Sequence, residues 1–555
     1  MVSYRFLLTS ALEKVFADRK PEAIQPYLEV LNNEKASFQI AYYVDYSGIE
    51  LFEDSIHFDI KTSCPCDVKV RKVCLMPGNL VCSGEHDNDY LKTTAGMFPD
   101  LLDEIPDSGI QAIHQQWRSV WIDLIPVEQT PADEHEVNIT VYDQDGKPIW
   151  GSVLTLNVIG VRLPKMKFIH TEWFHADCIA DYYKVEPFSE KHWTLLENFI
   201  SYAAQHGINM ILTPLFTPPM DTAIGGERTT VQLIDVAKDH NEYKFDFSKL
   251  DRWVETALRC GMEYFEMSPL FTQWGAYHAP KIMATVDGAY ERIFGWETDA
   301  SGSEYREFLH RFLPALRVHL QSLNVWERAW FHVSDEPNKG HMESYRSAQK
   351  CMNEDLCGAA LFDACSNLEL YLDGAVQRPI VCNDHIMPFI EKKVPNLWTY
   401  YCCVQGVDVS NRFFAMPSYR NRIIGVQAYL FGLQGFLHWG YNFYNSRCSR
   451  RHLDPYAVTD CDGSFPAGDA FLVYPGDDGK PRGSIRLAVL EQAMNDIRAF
   501  EYLESLTNRE HVEYLIRREA GETITFTQYP RNQEFFHRLR RAINAEILHA
   551  TKNIP

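Results

Sequence analysis

The chain has 555 residues, too many for one ordinary domain and enough for two or three with large cores. Hydrophobic residues make up 46% and charged residues 23%, a globular rather than a disordered composition. The formal net charge of -22 gives a surface that repels nucleic acid and anionic membranes, so neither is expected as a partner.

The 14 cysteines are scattered, with no paired CxxC units at zinc spacing, and read as reduced thiols. The N-terminal stretch MVSYRFLLTSALEKVFADRK has a short apolar run interrupted by Glu13 and does not read as a signal peptide. No segment approaches ~18 uninterrupted apolar residues, so no membrane-spanning helix is expected. A cytoplasmic protein is the expectation.

In chain order, a short helix is predicted over 8–17. Alternation follows at 36–44 and 117–125. It returns at Val137, Ile139 and Val141, and again at Leu154, Leu156 and Val158 after the turn signal Asp145-Gly146. This predicts an N-terminal antiparallel β-sandwich over residues 1–160. "GVRLPKMKF" is read as a boundary, with Pro164 ending the last strand.

Helix-then-strand modules follow. Ser189 is read as the cap of a helix carrying Trp193, Leu196, Ile200 and Ala203, with "INMILTP" as the next strand. Ser248 and Ser303 are read as caps of two more helices, leading to "MEYFEMSP" and "AWFHVSDEP"; Pro314 is expected to kink or end the third. "VPNLWTYYCC" reads as a strand and "YRNRIIGVQAYLFGLQ" as a helix closed by Gly435. "FLHWGYN" is another strand, and 483–506 a last long helix. This alternation predicts a (β/α)8 TIM-like barrel over 165–506 and a partly helical tail over 507–555 packed on it. No GxGxxG follows an early strand, so a dinucleotide fold lacks its signature.

In such a barrel, chemistry gathers at the C-terminal ends of the strands. Those ends carry Trp173, His175, Asp177, Thr213, Glu266, Trp274, His278, Asp335, Glu336, Tyr400, Tyr401, Trp439, Tyr441 and Asn442. Aromatic faces with converging acids suit a carbohydrate. His175 and Asp177 suggest a metal pair, but no third ligand is spaced convincingly. Neither metal nor cofactor is expected.

Asp335 and Glu336 stand side by side after an apolar strand, where unpaired charge is costly. Ordinary double displacement needs two opposed carboxyls about 5–5.5 Å apart, a role sequence neighbours fill poorly. They suit a division of labour. One acid would protonate the leaving oxygen, and the other would orient a 2-acetamido group of the substrate, whose oxygen attacks the anomeric carbon. A tyrosine hydroxyl on the acetamido oxygen would complete the clamp. Two rival readings stay open: double displacement with Glu266 as nucleophile, and a non-catalytic glycan-binding barrel.

The stretches "WFHADCIADYY", "LFTQWGAYHAPKI", "HVSDEP", "LWTYYCC", "GFLHWGYN" and "GDAFLVYPGDDGKPRGSIRLAVLEQAMNDIRAFEYL" together resemble glycoside hydrolase family 123. The resemblance covers roughly 165–505 and implies an exo-acting β-N-acetylgalactosaminidase on a barrel behind a β-sandwich. It implies Glu336 as acid/base, Asp335 as the acetamido-orienting residue and Tyr400, or its neighbour Tyr401, as the acetamido-oxygen partner. Trp439 would be a wall of the sugar subsite. Trp173, His175, Asp177, Trp274, His278, Tyr441 and Asn442 would be further pocket residues. The closing helix reads "LEQAMNDIRAFEYL" where the family has a more acidic run.

Overall fold

The computed structural model describes residues 2–47, 55–240 and 242–552. Its N-terminal part is built on two sheets. One orders the strands Val2–Ser10, Ala36–Tyr46, Arg118–Pro126, Cys66–Gly78 and Gly96–Glu104 in antiparallel succession. The other carries Glu134–Tyr142 and Pro148–Ile159 with Tyr27–Leu31 and Ser55–Thr62. Alternate residues from both, including Phe38, Ile40, Val120, Ile122, Val137, Ile139 and Leu156, share one apolar core. The period-two pattern in the sequence is this burial pattern.

Residues 8–17 are not helical. Leu8, Thr9 and Ser10 continue the edge strand and pair with Ile40, Gln39 and Phe38. Ladder pairing with a distant strand outweighs the local helical preference there.

The second part is a nine-stranded, wholly parallel sheet. Its order in space is Ala360–Leu361, Ala329–Phe331, Tyr264–Met267, Met210–Thr213, Ile169–Glu172, Gly435–His438, Trp398–Tyr400, Pro379–Cys382, Asp363–Ala364. The two outermost strands are consecutive in the chain and separated by Phe362 alone, so the sheet curls into a nearly closed ring. Side chains divide by parity. Met210, Leu212, Trp330, Ile380, Trp398 and Tyr400 enter one inner cluster, whereas Ile211, Phe331, Val381, Tyr401 and Phe436 join the layer under the helices. Trp330 lies 5.3 Å, centroid to centroid, from both Trp398 and Phe362, and these rings fill the interior.

Ser189 caps Glu190–Gln205, its side chain accepting from the His192 amide at 3.3 Å. Ser248 and Ser303 are instead the first residues of their helices, with Phe247 and Gly302 at the cap positions. Pro314 does not break Ser303–Ser322. Phe308, Leu309, Phe312, Leu313, Leu316 and Leu320, all fully buried, hold the helix in one piece on both sides of it. Gly435 does not close Ser418–Leu430 but starts the last strand of the ring. A Cβ there would lie 2.6 Å from the Trp398 ring and 2.7 Å from the Ile169 carbonyl, which explains glycine at that position.

The two parts interlock. Strands Tyr474–Pro475 and Pro481–Ser484 form a hairpin that extends the seven-stranded N-terminal sheet through Gly96–Glu104. Arg486 at the start of Ile485–Leu506 reaches back to clamp Asp100, through Nε at 2.7 Å and Nη2 at 2.8 Å. The C-terminal helices Arg509–Ala520 and Gln533–Lys552 bury Leu515, Phe535, Leu539 and Ile543 against that helix and against Leu31 and Trp121. A four-stranded sheet over Asp235–Asp239, Glu242–Asp246, Ile282–Val286 and Ala289–Phe294 branches from the loops after the ring strands Met210–Thr213 and Tyr264–Met267. Sequence patterning did not single it out.

Candidate active site

The mouth of the ring is organised from below by a buried charge. His332, 1% exposed, donates through Nε2 to Glu266 Oε1 at 2.6 Å and through Nδ1 to Asp363 Oδ1 at 2.9 Å. Burial alone would lower its pKa; the bonds to Asp363 and Glu266 outweigh that and push it up to about 10, so the ring is an imidazolium at neutral pH. Asp363 also accepts from the Val333 and Ser334 amides at 3.2 and 3.3 Å and from the Tyr345 hydroxyl at 2.5 Å. Glu266 accepts from Trp173 Nε1 at 2.7 Å and from the Thr171 hydroxyl. Phe362 stacks on His332 with centroids 4.4 Å apart, which joins this triad to the closure of the ring.

Asp335 and Glu336 lie above it. Asp335 is half-buried and Glu336 exposed, with φ of +43° at Glu336, a strained value for a residue with a Cβ. Desolvation first, and then the adjacent Glu336 charge, raise the Asp335 carboxyl well above the ordinary range, while the His332 charge pulls the other way. The Tyr400 hydroxyl donates to Glu336 Oε1 at 2.8 Å. Burial, then Glu336, push the Tyr400 phenol far up, so it is a donor at every working pH. Tyr401, one residue on, points the other way and donates to Asn421 Oδ1 at 3.1 Å. Strand parity therefore brings Tyr400, not Tyr401, to the acid pair.

Other residues selected from the sequence divide into rim and support. Trp439 is half-buried, its Nε1 donating to Asp469 Oδ2 at 3.0 Å, with Phe443 and Phe465 against its ring. Asp469 is itself pushed up to about 7, by burial against the pull of Arg412. Trp274 is 43% exposed, and its amide donates to the Asp335 carbonyl at 3.0 Å. His278 is half-buried against Trp296, with its amide donating to Thr272 Oγ1 at 3.2 Å. The Trp173 ring is 5% exposed, and its N–H is engaged by Glu266.

Four expected pocket residues are internal supports. Asp177 is held bidentately by Arg228, at 2.7 Å through Nε and 2.8 Å through Nη2. His175 accepts from Arg228 Nη2 at 3.0 Å on Nδ1 and donates from Nε2 to the Trp439 carbonyl at 2.9 Å. Burial, then Arg228, lower the His175 pKa to about 4 and keep the ring neutral. Asn442 is fully buried and bridges to the His175 backbone, accepting from its amide at 2.8 Å and donating to its carbonyl at 3.0 Å. Tyr441 is 0% exposed, stacked on Phe174, with its hydroxyl donating to the Phe199 carbonyl at 3.0 Å. All four side chains are buried and bonded within the protein. They fix the loops that follow two neighbouring strands.

Several organising residues escaped sequence reading. His332 and Asp363 sit inside apolar runs, "WFHV" and "LFDAC", and a charge in such a run was their signal. Glu172, Arg412 and His438 form a second buried network beneath Trp439. Arg412 Nη1 donates to Glu172 Oε1 at 2.7 Å, and its Nη2 lies 2.7 Å from His438 Nδ1. Arg228 and Arg412 come from loops far from their partners in sequence, and nothing local marks them.

Among the described residues, the acid/histidine/cysteine group with atoms near enough for a cation is Asp239, His240 and Asp287, all exposed and none of them at the mouth. No described helix is long and apolar enough to cross a membrane.

A parallel ring whose mouth holds an acid pair, a tyrosine donor and half-exposed tryptophans defines a glycoside hydrolase. The catalytic-domain model of glycoside hydrolase 123 matches residues 173–503, and the chain belongs to glycoside hydrolase family 123. A family 123 glycoside hydrolase from Clostridium perfringens, solved in a study of glycolipid glycan hydrolysis, is similar over 99% of this chain and 98% of its own, with TM-score 0.71 and 14% identity. At that identity the likeness speaks for the fold alone. A β-glucuronidase from Parabacteroides merdae aligns over 90% of this chain and 52% of its own at 11% identity, but its TM-score of 0.31 carries no weight. No curated protein matches the chain.

Proposed function

We propose that this glycosidase removes terminal β-linked N-acetylgalactosamine with retention, the substrate's own 2-acetamido group acting as nucleophile. The observation that carries the reading is the Asp335–Glu336 pair with Tyr400 bonded to Glu336. Glu336 is exposed at the mouth and protonates the leaving oxygen. The acetamido N–H gives Asp335 the donor it lacks. With the proton of the acid pair carried by Glu336 and passed to the leaving oxygen, Asp335 accepts the acetamido N–H as a carboxylate and stabilises the positive charge growing toward an oxazolinium-type intermediate. Glu336 then takes a proton from water, which opens the intermediate. Tyr400, displaced from Glu336, donates to the acetamido oxygen, and Trp439 backs the sugar ring.

The rival with Glu266 as nucleophile is weakened by the geometry. Glu266 is 0% exposed, and both its oxygens are engaged, by Thr171 on one side and by Trp173 and His332 on the other. In this reading residues 165–506 form a (β/α)8 catalytic barrel, 1–160 a β-sandwich and 507–555 a bracing tail, and the enzyme works in the cytoplasm without metal or cofactor.

Side-by-side hydrolysis of nitrophenyl β-GalNAc, β-GlcNAc and β-Gal tests the reading. Turnover of the acetamido sugars, GalNAc foremost, with inhibition by a GalNAc-thiazoline is the expected result. Equal turnover of β-Gal would sink the acetamido mechanism.

A further inference from the structure

Trp439 follows the ring strand Gly435–His438, packs against the inner cluster that contains Tyr400 and stays half-buried at the mouth. Phe443 and Phe465 meet its ring edge-on at 5.1 and 5.2 Å, contacts that fill space without fixing a hydrogen-bond direction. The indole has a single donor, Nε1, and it goes to Asp469 Oδ2 at 3.0 Å. Packing a tryptophan does not call for a wholly buried carboxyl beside it, which is costly to keep there.

Asp469 is itself held from behind. His438 Nδ1 accepts from the Gly440 amide at 3.0 Å and from Arg412 Nη2 at 2.7 Å. Burial, then Arg412, keep this ring neutral, so its proton sits on Nε2, which donates to Asp469 Oδ1 at 3.2 Å. Each Asp469 oxygen thus accepts from one ring. Arg412 continues the chain to Glu172 Oε1 at 2.7 Å, at the end of the ring strand Ile169–Glu172. Glu172, Arg412, His438 and Asp469 are each at most 2% exposed, a setting that strengthens such bonds. Gly440 makes the approach possible, because a Cβ there would lie 2.4 Å from the Ala470 carbonyl.

We infer that Asp469 is a positioning residue of the sugar subsite: its bond to the Trp439 N–H sets the plane of the indole against which the terminal sugar docks, and it acts on substrate affinity rather than on the chemical step. The inference rests on the proposed glycosidase reading, in which Trp439 backs the sugar ring.

The bond and the charge on Asp469 support each other. The Trp439 N–H favours the carboxylate, so the carboxylate holds that N–H more tightly than the protonated acid does. Facing Asp469 are the Arg412 and Arg486 guanidinium groups, the Glu172 carboxyl and the neutral His438 ring. Tyr401 and Cys461, kept protonated by burial, also face it, as does Cys402, kept protonated by the Cys403 thiol and by burial.

The test measures kcat and KM on nitrophenyl β-GalNAc for wild type, Asp469→Asn, Trp439→Phe and the double variant. Assays run about one pH unit above the value of about 7 to which burial raises Asp469. Asp469→Asn is expected to raise KM about fivefold or more and to change kcat by less than about twofold. Trp439→Phe keeps a ring but has no N–H, so adding Asp469→Asn to it should cost little more. Effects on KM that multiply in the double variant would mean that Asp469 acts elsewhere and would overturn the inference. So would an Asp469→Asn protein that melts like wild type with KM unchanged, or with its loss in kcat. A second arm needs no change at Asp469. Wild-type KM should rise severalfold as pH falls to about one unit below that value, and Trp439→Phe should lose most of this dependence. The same dependence in both proteins would also overturn the inference. Wild-type protein inactive on the substrate would instead bring down the glycosidase reading, and the positioning role with it.

Discussion

Tyr400 donates its hydroxyl to Glu336 at 2.8 Å across the mouth of the ring, joining the end of one strand to the loop after another 64 residues earlier. The contact holds the exposed acid in one orientation and sets beside it a neutral donor that burial keeps protonated. Removing that donor in Tyr400→Phe should lower kcat on a β-GalNAc aryl glycoside by roughly 10²-fold. Tyr401→Phe should leave kcat within about twofold and lower the melting temperature, because its hydroxyl serves Asn421. Steady-state kinetics on the pair checks this.

Glu336→Gln should lose roughly 10²–10⁴ in turnover, the range of a general acid/base. Asp335→Asn should fall comparably on acetamido sugars. Azide, which needs no base to open the intermediate, should raise the rate of Glu336→Gln on an activated aryl glycoside, but should restore little in Asp335→Asn if the nucleophile is the substrate's own. Rate measurements with and without azide decide.

Glu266→Gln removes one of the two carboxylates on a buried imidazolium and leaves Asp363 as its counter-charge, so a loss of about 1–3 kcal/mol in stability is expected by denaturant titration. A 2-fluoro sugar should leave Glu266 unlabelled in mass spectrometry of the wild-type protein. A covalent adduct at that residue would restore double displacement.

The His332 charge sets a pH window for stability. Its pKa is raised from 6.5 to about 10 in the folded protein, so its stabilising contribution is complete below 6.5 and is lost as pH climbs through 10. Melting temperatures should therefore decline from neutral pH toward 10. The decline should flatten in His332→Gln, which starts from a lower value. Melting curves across that range provide the check.

Arg228→Leu should destabilise by about 3–5 kcal/mol, since it strands Asp177 in a site where that side chain is 2% exposed. A mere surface pair would lose less than about 1 kcal/mol. Equilibrium unfolding tells the two apart.

Much of the architecture was legible in the linear chain because it rests on local periodicity. Val137, Ile139 and Val141 alternate because one face of their strand is buried, and Trp193, Leu196 and Ile200 recur at helical spacing for the same reason. The acid pair was legible because charge after an apolar strand is expensive without a purpose. What the sequence could not settle was direction and partnership. Whether Tyr400 or Tyr401 faces the mouth depends on strand parity within the ring. Whether His175 and Asp177 meet a ligand or Arg228 depends on a loop that only the folded chain brings near. The same holds for 8–17, where a distant strand outweighed a local preference, and for Pro314, where packing on both sides kept a helix whole. Local pattern follows from the backbone and the hydrophobic effect and is written in neighbouring residues. The charge network under the acid pair is made of contacts between residues tens to hundreds of positions apart, and only their meeting in three dimensions decides it.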